Sequence, residues 1–260
     1  MIVDCHTHIF EAGRGGPFQL PCSADDLVRQ MDVAGVDVSI VLPLPGDAPN
    51  EFVQRQCGRF PGRLVGLYNP EFDIPRETVP RMEAFFAEYS PPGLKIHPRR
   101  QDVRVTDAVV IDVLNWANQR GLPVLFDVFP FGQSLDAAAL YPIAYHATAQ
   151  QIPGLRMILA HAGGYRLLEA FMVAKSNPNV FLDLSFTPVY FRGSSLVGDC
   201  GFLCRRLPAG RVLYGSDFPN VRLGESLEFA REFSADLDSS VKTRFFGDSA
   251  AALFGIAAAR

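Results

Sequence analysis

Short apolar runs recur along the chain, and between them apolar positions return every three or four residues. The runs fit strands, and the spaced positions fit one buried face of a helix. Strands are expected at residues 1–9, 37–44, 64–68, 93–97, 123–128, 156–160, 180–185 and 211–215. Helices are expected at 23–35, 50–59, 75–88, 107–120 and 135–150, then after Gly163-Gly164, from 198 to 206, and near 226–237 and 241–254. Ser23 with Asp26 three residues on reads as a capped helix start, and Gly35 as its end. A Gly-rich loop at 11–16 lacks the Gly-Lys-Ser/Thr ending of a phosphate-binding loop and reads as a mobile entry segment.

Strands that are almost continuously apolar and alternate with helices argue for a parallel sheet buried on both faces. Eight such units predict a single (β/α)8 barrel over residues 1–260, with an extra C-terminal helix. An open doubly wound sheet is the alternative. The barrel is preferred because polar residues interrupt the pattern at the carboxyl ends of strands one, four, five, six and eight. A barrel brings those ends to one mouth, whereas an open sheet leaves its outer strands far apart.

The interruptions carry the candidate chemistry. In Asp4-Cys-His6-Thr-His8, alternation puts both imidazoles on one strand face, a geometry suited to metal ligation, and turns Cys5 away from them. Asp217 follows strand eight in Tyr214-Gly-Ser-Asp-Phe-Pro; its bland reading is a turn or cap aspartate. Asp127 breaks the run Leu122-Pro-Val-Leu-Phe-Asp-Val-Phe, so its carboxylate needs a cation, a lysine or a proton. His161 follows strand six ahead of two glycines. Lys95 and His97 share one face of strand four as substrate contacts or a substitute ligand. His146, inside an expected helix, reads as peripheral.

Two histidines and carboxylates around one point suit Zn²⁺, with Mn²⁺ or Fe²⁺ as alternatives. Asp217 then serves as proton acceptor, and His161 polarises a carbonyl or shuttles protons. Arg99 and Arg100 follow strand four, where they either meet an anionic substrate or are simply solvated. Phe129, Phe131, Tyr165, Phe186, Tyr190 and Phe191 fall on loops at the same expected face. They suit a flat, partly apolar substrate or, alternatively, a homodimer contact.

Composition narrows the class. A net charge of −4 gives no electrostatic case for nucleic acid or an anionic membrane. No run of about 18 apolar residues is present, and Asp4 and His6 interrupt the N-terminal run, so neither a spanning helix nor a signal peptide is expected. A cytoplasmic location follows as the default. The five cysteines do not suggest a disulfide framework, and Cys200 and Cys204 read as buried thiols.

His6-Thr-His8, Gly93-Leu-Lys-Ile-His97-Pro, His161-Ala-Gly-Gly and Gly215-Ser-Asp217-Phe-Pro together resemble the amidohydrolase superfamily. The similarity is to its amidohydrolase-related (amidohydrolase 2) group, which includes aminocarboxymuconate-semialdehyde decarboxylase, resorcylate-type decarboxylases and pyrone or sugar-lactone hydrolases. It runs from Ile2 to the final helices. It implies a barrel, metal-site positions at His6, His8 and Asp217, and a catalytic or carbonyl-contacting role for His161. One position departs: the family usually places a metal-binding histidine at the end of strand five, where this chain has Asp127. The resemblance then leaves a site of His6, His8, Asp127 and Asp217, a site in which His97 replaces the missing imidazole, or a metal-free one. The expected activity is metal-dependent hydrolysis of a lactone, cyclic amide or related ester. The alternative is non-oxidative decarboxylation of a small aromatic or unsaturated acid. A third reading is a barrel that binds a ligand without catalysis. Lys95, His97, Arg99, Phe129, Tyr165 and Tyr190 are the expected substrate contacts.

Overall fold

The computed structural model describes residues 1–15, 19–130 and 140–257. Phe131 and the first part of the helix expected at 135–150 lie outside the described residues. β1 (Val3–Thr7) opens the chain, followed by a hairpin of two short strands, β2 (Arg14–Gly15) and β3 (Leu20–Pro21), within the segment read as an entry loop. α1 (Ala24–Ala34) begins with the expected reciprocal cap between Ser23 and Asp26 and ends at Gly35.

The remaining units alternate as the apolar pattern requires. β4 (Val38–Val41), α2 (Asn50–Gly58), β5 (Leu64–Gly66), α3 (Pro75–Tyr89) and β6 (Leu94–Ile96) come first. A short α4 (Pro98–Gln101), α5 (Ala108–Gln119), β7 (Val124–Phe126), α6 (His146–Gln151), β8 (Met157–Leu159) and α7 (Leu167–Ser176) follow. β9 (Val180–Asp183), α8 (Thr187–Tyr190), α9 (Leu196–Arg206), β10 (Val212–Leu213) and α10 (Leu223–Phe233) lead to the C-terminal helices α11 (Ser239–Thr243) and α12 (Ser249–Phe254). The last two were expected as one helix. A π-helical turn, Arg244–Asp248, lies between them where Gly247 meets the start of the chain. A Cβ at Gly247 would stand 2.2 Å from the Met1 carbonyl oxygen.

β1, β4 and β5 pair in that order, and β6 to β10 pair consecutively, all parallel. Two seams join these sets. Tyr68 bridges Leu94, and Lys95 N donates to Tyr68 O at 2.8 Å. Thr7 bridges Phe218, with Cys5 N bonded to Tyr214 O at 3.0 Å and His8 N to Phe218 O at 2.8 Å. Eight parallel strands joined at both edges make a closed (β/α)8 barrel.

Strand parity sorts the core. Val124, Phe126, Met157, Leu159, Val180 and Leu182 face the helices, while Leu125, Ile158 and Leu213 face inward with Val3 and Ile40. Ala250, Leu253 and Phe254 of α12 join this inner cluster and plug the amino-terminal end of the barrel. Lys95 is in register with Leu125 and therefore points inward, fully buried. Cys5 does not follow the alternation expected of it. A register shift between Asp4 and Thr7 bulges β1, and Cys5 packs in the inner cluster. A bulge puts an extra residue in the strand, so parity changes across it. All five cysteines are free and buried.

Candidate active site

The carboxyl ends of the strands converge on a buried set of polar groups. His6 is fully buried, and its Nδ1 lies 2.6 Å from Asp183 Oδ2 at the end of β9. His8 Nδ1 lies 3.0 Å from the Leu42 carbonyl oxygen, just past β4. Each ring donates its Nδ1 proton to an acceptor, which leaves an Nε2 lone pair on the other side; this arrangement typifies metal-ligating histidines. Asp217 Oδ1 lies 3.4 Å from His6 Nε2 and 3.7 Å from His8 Nε2. Four ligands about 2.1 Å from a tetrahedral ion stand about 3.4 Å from one another, so these separations match two edges of such a site. His6 Nε2 is buried without a hydrogen-bond partner. That unpartnered atom, close to Asp217 Oδ1, is available to a divalent cation.

The backbone is shaped to bring these groups together. Asp217 lies in the left-handed region at φ 66°, with its N–H bonded to His6 O at 2.9 Å and its Oδ2 bonded to Asn220 Nδ2 at 2.9 Å. Oδ1 is thereby left for the imidazoles. A Cβ at Gly215 would stand 2.9 Å from His6 Cβ and 3.0 Å from Asp183 Oδ1, so only glycine permits this approach. His161 (φ 58°) and Phe186 (φ 63°) are also left-handed at the mouth. Such strained residues persist where surrounding contacts over-determine them, and they cluster at functional sites.

His161 sits beside this set but is engaged differently. One donor atom from each of His6, His161 and Asp217 can be chosen so that all lie within 4.8 Å of one another. Yet both His161 nitrogens face acceptors: Nε2 is 3.2 Å from Asp127 Oδ2, and Nδ1 is 3.1 Å from the Ser185 carbonyl oxygen. A ring that donates from both nitrogens is an imidazolium. Burial works against that charge. The Asp127 hydrogen bond and charge, with Asp217 and Asp183, outweigh it and raise the His161 pKa to about 9. Burial and the neighbouring Lys95 lower the pKa of His6, while burial with His6 nearby holds His8 well below its ordinary value. Burial thus favours the neutral forms of His6 and His8, while Asp127 favours the charged form of His161.

Asp127 and His8, both expected among the metal ligands, are absent from that three-residue group, although His8 Nε2 stands 3.7 Å from Asp217 Oδ1. Asp127 Oδ2 lies between His161 and His97, 3.5 Å from His97 Nε2, and its Oδ1 accepts from Phe129 N at 3.3 Å. Burial alone would raise its pKa, but the two histidines hold it well below the usual carboxylate range. Burial pushes His97 down to about 3, and its Nδ1 has no partner. Gln101 fixes the same segment by accepting from His97 N at 2.7 Å. Lys95 Nζ is likewise buried and unpartnered, and burial lowers its pKa.

The expected substrate contacts divide. Phe129 packs edge-on against His161 with centroids 5.6 Å apart, and it also meets Phe186 (5.2 Å) and Tyr190 (5.7 Å). Tyr190 and Phe191 meet edge-to-face beyond, making an aromatic wall beside His161. Tyr165 is 45% exposed and interacts with Arg166 and Tyr141 instead. Arg99 is exposed, and Arg100 pairs with Asp47 at 2.7 Å. His146 bonds Asn177 away from this set.

Sequence reasoning overlooked Asp183, Ser185 and Asp4, all fully buried. Asp183 and Ser185 share a strand face in Phe181-Leu-Asp-Leu-Ser, a polar alternation at a strand end that could have been read. Ser185 Oγ stands 3.1 Å from His6 Nδ1 and 3.0 Å from His161 Nδ1. Asp4 Oδ1 accepts from His6 N and Ser216 N, and burial raises its carboxyl pKa to about 7.

A buried His-x-His pair facing a strand-eight aspartate at the mouth of a (β/α)8 barrel defines an amidohydrolase-type enzyme. The amidohydrolase family model matches residues 3–256, and the chain belongs to that family. Among solved structures it is similar to an uncharacterised TIM-barrel protein of Bordetella bronchiseptica (15% identity, 98% of each chain covered, TM-score 0.83). It is also similar to a dihydroxybenzoic acid decarboxylase of a Polaromonas species with bound manganese and the inhibitor 2-nitroresorcinol (16% identity, 99% of this chain and 98% of that one, TM-score 0.75). A third similar structure is a probable 2-pyrone-4,6-dicarboxylic acid hydrolase of Acinetobacter baumannii with citric acid bound (12% identity, 98% and 99%, TM-score 0.72). No curated protein matches the chain. No helix among the described residues is long and apolar enough to cross a membrane.

Proposed function

We propose that the protein is a metal-assisted hydrolase of a small carbonyl compound: a lactone, a cyclic amide or a related ester. One observation carries this reading: the Nε2 atoms of two buried imidazoles lie within 3.7 Å of one aspartate oxygen, and a third buried histidine, hydrogen-bonded to Asp127, stands beside them. His6, His8 and Asp217 would hold a divalent cation, with zinc the first choice. When bound, the cation supplies Lewis acidity toward the carbonyl and a lowered pKa for water next to it. Asp217 accepts the proton that water gives up as it attacks. His161, kept charged by Asp127, stabilises the oxygen that becomes negative and then protonates the leaving group. Phe129, Phe186 and Tyr190 flank a flat substrate and exclude water.

Decarboxylation of an aromatic or unsaturated acid is the second reading, and the aromatic wall favours it. A planar ring against Phe129 would meet the His161 proton donor, as protonation at carbon requires. The test is product analysis over a panel of lactones and aromatic carboxylates, with zinc- and manganese-loaded protein. Ring opening with acid release supports hydrolysis. Carbon dioxide release with a solvent proton gained at carbon assigns the second reading. Protein that takes up neither ion sinks the proposed role of His6, His8 and Asp217.

A further inference from the structure

The bulge in β1 leaves two buried N–H groups out of the strand seam. Cys5 N bonds Tyr214 O, Asp217 N bonds His6 O, and His8 N bonds Phe218 O. His6 N and Ser216 N are the donors left over on the two sides of that seam. Both turn to the same atom: Asp4 Oδ1 accepts from His6 N at 3.1 Å and from Ser216 N at 2.9 Å. One of these belongs to a proposed ligand, and the other immediately precedes Asp217. The Asp4 side chain is fully buried, and its Oδ2 has no partner.

We infer that Asp4 is a positioning residue, a staple that fixes the separation of His6 and Asp217 so that the pair can close on one cation. The inference rests on the proposed metal role of that pair. Its physical basis is the high cost of a buried backbone donor without an acceptor. Without the staple, the two segments must move to satisfy His6 N and Ser216 N. The His6–Asp217 gap, now 3.4 Å, would move with them. The role needs an acceptor at Oδ1 and no charge, so asparagine should replace aspartate here and alanine should not.

The experiment compares Asp4→Ala, Asp4→Asn and, as a control for general destabilisation, Leu227→Ala on the buried face of α10. Two quantities are read: zinc affinity by competition with a chromophoric chelator, and amide hydrogen exchange in the metal-free protein. Asp4→Ala should lose about 10–100-fold in zinc affinity, the range for groups that orient a ligand. It should also lose protection selectively at His6 and Ser216. Asp4→Asn should stay within about threefold of the parent with both amides protected, since its amide oxygen still accepts. Leu227→Ala should lower thermal stability and leave zinc affinity unchanged. Equal zinc affinity in Asp4→Ala and the parent, or loss in Asp4→Asn with both amides still protected, overturns the staple. If Asp4→Ala does not fold, Asp4→Glu displaces the acceptor by one methylene and is judged by the same two readings. If the parent binds no zinc, the proposed function fails, and the exchange at His6 and Ser216 alone decides the role of Asp4.

Discussion

The two sides of the barrel mouth use the same residue types for opposite ends. On one side, His6 and His8 give their Nδ1 protons to Asp183 and to a carbonyl, and keep Nε2 lone pairs for Asp217 Oδ1. On the other, Asp127 Oδ2 stands between the Nε2 atoms of His161 and His97, and His161 Nδ1 faces a carbonyl as well. The first side is left with unused electron pairs, and the second carries a surplus proton. Residue identity does not separate them, since each is two imidazoles and a carboxylate. What separates them is the partner of each ring nitrogen, which decides whether a histidine is a ligand or an acid.

The comparison breaks most sharply at its ends. Asp217→Asn should abolish zinc uptake by equilibrium dialysis, whereas His161→Asn should leave metal content intact. The His161→Asn protein should instead lose about 10²–10⁴-fold in turnover on any true substrate, the span of general acid catalysis. Equal metal loss in the two variants would show that the sides are not chemically distinct. Next in size, Asp183→Ala frees His6 Nδ1 and should weaken zinc binding about 10–100-fold in a competition titration.

Asp127→Asn gives the next effect. It should lower the His161 pKa from about 9, because burial remains when the largest opposing charge and hydrogen bond are weakened. Imidazole NMR titration of the metal-free protein reads this directly. The linkage has a definite sign. A histidine with a raised folded-state pKa adds stability that is fully present below about pH 6.5 and lost as the pH rises through about 9. Metal-free protein should therefore lose thermal stability across that window, and Asp127→Asn should flatten the decline. The smallest expected change is at the wall: Phe129→Leu should alter KM more than kcat, by under about tenfold, since it keeps an apolar side chain there.

Much of this site could be read from the chain, for a physical reason. A buried parallel strand is so uniformly apolar that His97, Asp127, His161 and Asp217 stand out at its end. His6 and His8, read on one strand face, both bring Nε2 within 3.7 Å of Asp217 Oδ1. Cys5 was misplaced because a bulge is a backbone event with no reliable side-chain signature. Asp183 was passed over because an aspartate after an apolar run also fits a turn. The Asp127 environment was the hardest to foresee. Its role is set by two rings, one on each neighbouring strand, and by their nitrogens. Closure of the barrel followed from the count of units, but the short ladders at its two seams did not.

The α12 plug has a further consequence. With Ala250, Leu253 and Phe254 sealing one end of the cylinder, the polar groups at the strand ends face the opposite end, beside the aromatic side chains. On the proposed reading, substrate, product and ion all pass that end, so a molecule lodged there would also trap whatever lies behind it. A tight inhibitor of this enzyme would act as a cork as well as a competitor, slowing the escape of the ion to a chelator without touching it.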